Sequence, residues 1–228
     1  MMNNTSRKLL TLFATCVWAS WAQNYPPPFP RNAALKLLEN DRVAVWDVTW
    51  PKGQPTAMHE HPVDQLSVTL VGGTIRVTRL GGSPVVNESR LGSVTFTPKG
   101  TVHMEEGLSD VAQRKIMLQL KSSESPSDSG STVAKVSLEG AVKLLENARL
   151  VAWDYTWNLG QKTPRHSDYH DSVIVFLEGG TIRSIAGAGG DRDTTRSAGE
   201  VAYLPHTADP HTEEAVQGSP RAVIIELK

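Results

Sequence analysis

The sequence predicts an all-β fold, a sandwich or barrel, built twice in one chain. Three observations carry this. The chain repeats itself at a fixed offset, its apolar residues fall in short runs rich in β-branched and aromatic side chains, and Gly, Pro or Asn separate those runs. Many short strands between such turns are the pattern of a sandwich or barrel.

The repeat comes first. LKLLENDRVAVWDVTW at 35–50 returns as VKLLENARLVAWDYTW at 142–157, an offset of 142 − 35 = 107. The same offset carries His59 onto His166, GGTIR at 72–76 onto 179–183, Gly92 onto Gly199, Pro98 onto Pro205 and Lys121 onto Lys228. The 228 residues therefore divide into an N-terminal segment 1–22, a Pro-rich leader 23–31, a unit 32–121, a Ser-rich linker 122–137 and a second unit 138–228.

Within the first unit, 43–50 is a strand by its β-branched and aromatic content, and QLSVTLV, TIRVTRL, VTFTP and KIMLQL are further short strands. Helical periodicity is arguable only for AALKLLEN at 33–40 and its copy. Trp46 and Trp50, repeated as Trp153 and Trp157, read as packing residues because of the area each buries. GAGGDRD at 187–193 reads as a hairpin rather than a phosphate loop, since no helix signal follows it.

Arg7 and Lys8 precede an uncharged apolar run, and SWA at 20–22 places small residues where a signal peptidase reads. The expectation is a cleaved signal and an exported protein, periplasmic or secreted. An uncleaved anchor and lipid attachment at Cys16 are the alternatives. Cys16 is the one cysteine, so the processed chain has no disulfide and no thiolate ligand. With 23 basic against 24 acidic side chains and no basic cluster, nothing points to nucleic acid. After the signal no segment is apolar enough to span a membrane. A small-molecule ligand or substrate is the expected partner. Strand edges make a homodimer a further expectation, although the duplication can satisfy that need internally.

Chemistry concentrates in PTAMHEHPVDQLSVTLVGG at 55–73. Residues two apart on a strand share a face, so His59 and His61 can project together, and Pro62 ends regular pairing beside them. His103 follows the PKGT turn and approaches from a neighbouring strand. Three neutral imidazoles suit a divalent transition metal (Fe, Mn, Ni, Cu or Zn) and leave positions open for water or substrate. The alternative is a pocket lined by histidines without metal.

Gly53, His59-Glu60-His61, Gln65 and Gly72, followed by Gly92, Pro98-Lys99-Gly100 and His103, resemble the two motifs of the cupin superfamily in order and spacing. Because the resemblance covers both units, it implies two tandem small jelly-roll barrels, a bicupin. It also implies a fourth metal contact at Gln65, where the family usually carries glutamate; the alternative is that Gln65 orients a bound water or hydrogen-bonds a ligand histidine. An amide there binds without negative charge and removes the obvious carboxylate base. Asp64, next in sequence, points to the opposite face of a regular strand.

The second unit keeps His166 but carries Asp168 for His61 and Ser172 for Gln65. His211 matches His103 if one residue is inserted, as the shared H-x-E-E ending suggests. His166, Asp168 and His211 then form a candidate second site of the two-histidine, one-carboxylate kind. Arg221 lies where enzymes using such sites with 2-oxoglutarate often place an arginine, yet it is also the copy of Arg114 in a repeated strand. Dioxygenase-type oxidation of a small organic substrate is one expected function, and non-catalytic binding of an anion or sugar is the other. The fold alone does not choose between them.

Overall fold

A computed structural model describes residues 24–121, 140–186 and 190–228. The N-terminal segment 1–22 and the whole linker 122–137 lie outside the described residues, as do 187–189 of the Gly-rich segment. Among the described residues the secondary structure is all β, and no helix is long and apolar enough to cross a membrane.

The first unit contains β1 (Ala34–Glu39), β2 (Val43–Trp50), β3 (His59–Glu60), β4 (Asp64–Val71), β5 (Gly73–Arg79), β6 (Val85–Ser89), β7 (Val94–Thr97), β8 (Val102–Gly107) and β9 (Gln113–Leu120). They form a sheet in the order β1-β2-β9-β4-β7 and a second in the order β3-β8-β5-β6, closing a jelly-roll barrel. The second unit repeats the plan with β10 (Val142–Glu146), β11 (Leu150–Thr156), β12 (His166–Asp168), β13 (Ser172–Ala186), β14 (Gly190–Arg196), β15 (Val201–Leu204) and β16 (Thr207–Leu227). Here β13 and β16 run on from one sheet into the other, so the two layers are continuous.

AALKLLEN is not helical. β1 pairs antiparallel with β2, and the register slips between Lys36 and Leu38. The copy, β10, slips between Lys143 and Leu145. Such a bulge puts an extra residue into the strand and breaks its two-residue alternation, which is why the apolar spacing resembles a helix. The strands flanking the Gly-rich segment pair antiparallel, with Ala186 opposite Gly190 at the end of the β13–β14 ladder, while residues 187–189 lie outside the described residues.

The two faces of the first sheet differ sharply. Val43 and Val45 of β2, Leu66 and Val68 of β4, and Ile116, Leu118 and Leu120 of β9 all lie on the outer face. They join one buried cluster with their copies Leu150, Ala152, Val173, Val175, Val223, Ile225 and Leu227. The two barrels are therefore packed back to back through their most apolar faces. Motif glycines belong to this contact as well. Gly92 has φ +80°, and a Cβ there would meet Leu177 Cδ1 of the other barrel at 3.1 Å.

The inner faces carry different chemistry. In the first barrel Gln65, Ser67, Thr69, Gln113 and Lys115 are buried on the inner side of the strands. At the copied positions the second barrel has Ser172, Ile174, Phe176, Pro220 and Ala222. Ile174, Phe176 and Ala222 pack with Tyr155, Trp157 and Ile224 in a separate apolar cluster. At these positions the first interior is polar and the second is mostly apolar.

Candidate metal centre

β3 and β8 place the histidines. His59 opposes His103 across the β3–β8 ladder. His61 follows directly, its N–H donating to Thr101 O at 3.0 Å and its carbonyl accepting from Gly100 N at 2.8 Å. The PKGT turn thus fixes His61 as well as introducing His103. Gln65 enters from β4 on the inner face. All four side chains are buried, with exposures of 4% for His59, 2% for His61, 7% for His103 and 2% for Gln65.

One ring nitrogen from each histidine lies within 4.8 Å of those of the other two. The His61 and His103 Nε2 atoms are 3.0 Å apart. Two metal–nitrogen bonds of about 2.1 Å subtend about 3.0 Å when they meet at a right angle. His59 Nδ1 lies 2.9 Å from Ala57 O, and a carbonyl only accepts, so Nδ1 carries the proton and Nε2 keeps its lone pair. Burial, reinforced by the neighbouring His103 and His59, pushes His61 down to about 3. Burial also lowers His103, with Glu105 opposing. Neutral imidazole is the form that ligates. Gln65 Oε1 is a buried acceptor with no donor among the described residues. The three histidines fit a divalent cation as nitrogen ligands, and the unpartnered Gln65 Oε1 is the acceptor that would offer it a neutral oxygen.

Asp64 points away from this pocket. Its Oδ1 accepts from Lys99 N at 2.8 Å, and its Oδ2 from Arg149 of the second barrel at 2.8 Å. A cavity of about 430 Å³ opens beside His103, lined by Gln65, Arg79, Glu105, Lys115 and Met117 among others. On the other side, the leader packs on the barrel: Phe29 stacks on Trp46 at 4.9 Å, and Glu60 N donates to Pro26 O at 2.9 Å. Trp46 and Trp50 are packing residues whose indole N–H groups donate to Gln119 at 3.0 Å and Glu105 at 3.0 Å.

In the second barrel His166 opposes His211, in the register in which His59 opposes His103. The one-residue insertion is therefore real. A ring nitrogen of His166, a carboxylate oxygen of Asp168 and a ring nitrogen of His211 lie within 4.8 Å of one another. His166 Nδ1 is held by Pro164 O at 2.8 Å, as His59 is by Ala57. This trio is less buried than the first, and the barrel behind it is apolar. Arg221 does not reach the site. It pairs with Asp154 at 2.7 Å, as Arg114 pairs with Asp47 at 2.7 Å. His206, a further histidine of this unit, turns to Asp171 instead, its Nδ1 lying 3.2 Å from Asp171 Oδ1.

No protein-family model and no curated protein matches the sequence. Solved structures do match the fold. AerE from Microcystis aeruginosa aligns with a TM-score of 0.63 at 13% identity, over 90% of this chain and 99% of that one. A cupin 2 conserved barrel domain protein from Leptotrichia buccalis gives 0.54 at 16% identity, over 86% and 88%. The fold is a cupin fold. Oxalate decarboxylase of Bacillus subtilis, a protein with Mn(II) centres, aligns at 0.59 with 14% identity, over 82% of this chain and 69% of that one. At such identities the cupin fold is what these proteins share with this chain, and the chemistry has to be argued from the site.

Two features of this cupin pocket escape the motif spacing. Lys115 is a buried cation inside the first barrel, and the leader docks beside His59. A lysine within KIMLQL on the inward-facing parity was the available signal for the first. The second had none beyond its prolines.

Proposed function

We propose that the first barrel is a divalent transition-metal centre, held by His59, His61 and His103 with Gln65 as fourth contact, that acts on a small organic substrate. The convergence of three buried histidines within 4.8 Å carries this reading. The Mn(II) centres of the similarly folded oxalate decarboxylase support it, and iron, nickel, copper and zinc suit the same ligands. Bound metal supplies a Lewis acid and open positions for substrate. The chain's own part is to hold the histidines neutral, to present a polar cavity and to exclude bulk water. The reaction proposed is oxygen-dependent oxidation of the dioxygenase type, in an exported protein whose signal is residues 1–22.

Gln65 favours a second reading, in which the barrel binds a small anion or sugar without turnover. The inner position where a carboxylate base would stand holds a neutral amide.

Metal analysis of untagged mature protein by mass spectrometry decides first, with His59→Ala/His61→Ala as control. One equivalent of metal in the native protein and none in the control is expected. Oxygen uptake on a substrate panel then separates oxidation from binding. No metal after reconstitution would overturn the metal centre, and no turnover by a metal-loaded protein would leave the binding reading.

A further inference from the structure

The cavity of the first barrel holds a cation that the metal site does not use. Lys115 on β9 is only 8% exposed and lines the cavity together with Gln65 and His103. Its ammonium lies 5.8 Å from the Trp50 ring centroid, and no hydrogen bond or ion pair reaches it from the described residues. A buried ammonium held by no hydrogen bond or ion pair is costly, and proteins rarely keep one without a reason.

The other charges around the cavity make no ion pair with it. Glu105 accepts the Trp50 indole N–H at 3.0 Å, and Glu88 at the rim lies beside Arg90 at 3.8 Å. Arg79 adds a second cation, opposite His103 in the β5–β8 register and exposed at the cavity edge. Burial pulls Lys115 below its ordinary value and Glu105 opposes it only in part, so a second anion in the cavity would further favour the charged form.

The comparison within the chain sharpens this. At the copied positions Lys115 becomes Ala222 and Arg79 becomes Ala186. The barrel with the four-residue constellation has both cations, and the apolar-filled barrel has neither. Had the lysine served packing alone, the second barrel shows that alanine fills the same strand position.

We propose that Lys115 is the anion-recognising residue of this cavity and that the ligand is a small carboxylate, with Arg79 guiding it at the entrance. The volume of about 430 Å³ suits a molecule of modest size. This deepens the function proposed above and rests on it for what the ligand's far end meets, namely the metal beside His103.

The test uses full-length mature protein and calorimetric titration with acetate, malonate, succinate and benzoate, each beside its uncharged amide. Metal-loaded and metal-stripped protein are both titrated, and metal content is measured for every variant. Native protein should bind at least one carboxylate and not its amide. Lys115→Met should keep its metal and lose that binding by about tenfold or more, a difference of about 1.4 kcal/mol. Lys115→Arg, which restores the charge, should recover part of it and guards against a folding defect in the methionine variant. Arg79→Gln should weaken binding less and make it less sensitive to salt. Equal binding of carboxylate and amide, no binding of any of the four acids, or an undiminished Lys115→Met would overturn the proposal. Carboxylate binding through Lys115 in a protein that takes up no metal would overturn the metal centre and leave the anion site standing.

Discussion

Arg149 Nη1 of the second barrel donates to Asp64 Oδ2 of the first at 2.8 Å, and the duplication reproduces the bond in reverse. Arg42 of the first barrel meets Asp171 of the second at 3.5 Å, and both residues of each pair are related by the offset of 107. Two ion pairs related in this way mark a pseudo-twofold contact of the kind that joins identical subunits. Asp64 also accepts the Lys99 N–H from the turn that precedes His103. Asp64→Ala should therefore lower stability by about 2 kcal/mol, since it removes a partly buried ion pair between the barrels and frees the turn. Urea unfolding measures the loss. An unchanged midpoint would show that the pair is decorative.

Gln65 invites the reverse experiment. Gln65→Glu puts a carboxylate at a position 2% exposed, where the amide oxygen has no donor. Without metal the variant should be about 1–3 kcal/mol less stable than the native chain, because a carboxyl is buried unpaired. With Mn(II) present the order should invert, the added negative charge raising metal affinity by about tenfold or more. Thermal unfolding with and without Mn(II) shows whether the sign changes. The same sign in both would argue that Gln65 does not face the ion.

Glu226 is a buried carboxyl where the first barrel has Gln119. Trp153 Nε1 donates to Glu226 at 3.1 Å, just as Trp46 Nε1 donates to Gln119 at 3.0 Å. Burial raises Glu226 above its ordinary value, with Trp153 opposing. A group that holds its proton more tightly when folded favours the fold below its unfolded pKa, and this contribution is lost as pH rises through the folded value. Glu226→Gln keeps the acceptor for Trp153 and removes the charge. It should gain about 1 kcal/mol near pH 7.5 and nothing below about pH 4. Melting curves across that range test the convergence, and a gain independent of pH would refute it.

Phe29 anchors the leader by stacking on Trp46, and Arg31 lies over the Trp50 ring at 5.1 Å. Removing a buried phenyl ring costs about 3 kcal/mol, enough to release a short segment from the surface it covers. Phe29→Ala should therefore speed tryptic cleavage after Arg31 while the barrels stay folded. An unchanged cleavage rate would place the anchor elsewhere.

Much of this architecture could be read from residues alone. The offset of 107 exposed the duplication, and the period-two logic that put His59 and His61 on one face also turned Asp64 outward, where it is found. β1 was the ambiguous element, because the bulge after Lys36 disrupts the alternation by which a strand is recognised. The union of the barrels was harder. Val43, Val45, Leu66 and Val68 look like ordinary core residues, and spacing does not say whether an apolar face turns into its own barrel or against another. Lys115 was hidden by the same ambiguity, a polar residue in a strand being read as solvent-facing until the solvent side proves to be the hydrocarbon one.

That inversion has a consequence for how such a chain diverges. A barrel that is oily without and polar within stays soluble only when its back is covered, and the covalent tether makes its cover permanent at a fixed ratio of one to one. Once the second copy has become that cover, its inner residues are released from chemistry while its outer ones are not. Lys115 could become Ala222 and Thr69 could become Phe176, yet Val43 and Val45 still answer to Leu150 and Ala152. What the later half retains is its back, and the earlier half keeps its polar pocket behind the shield of the other copy.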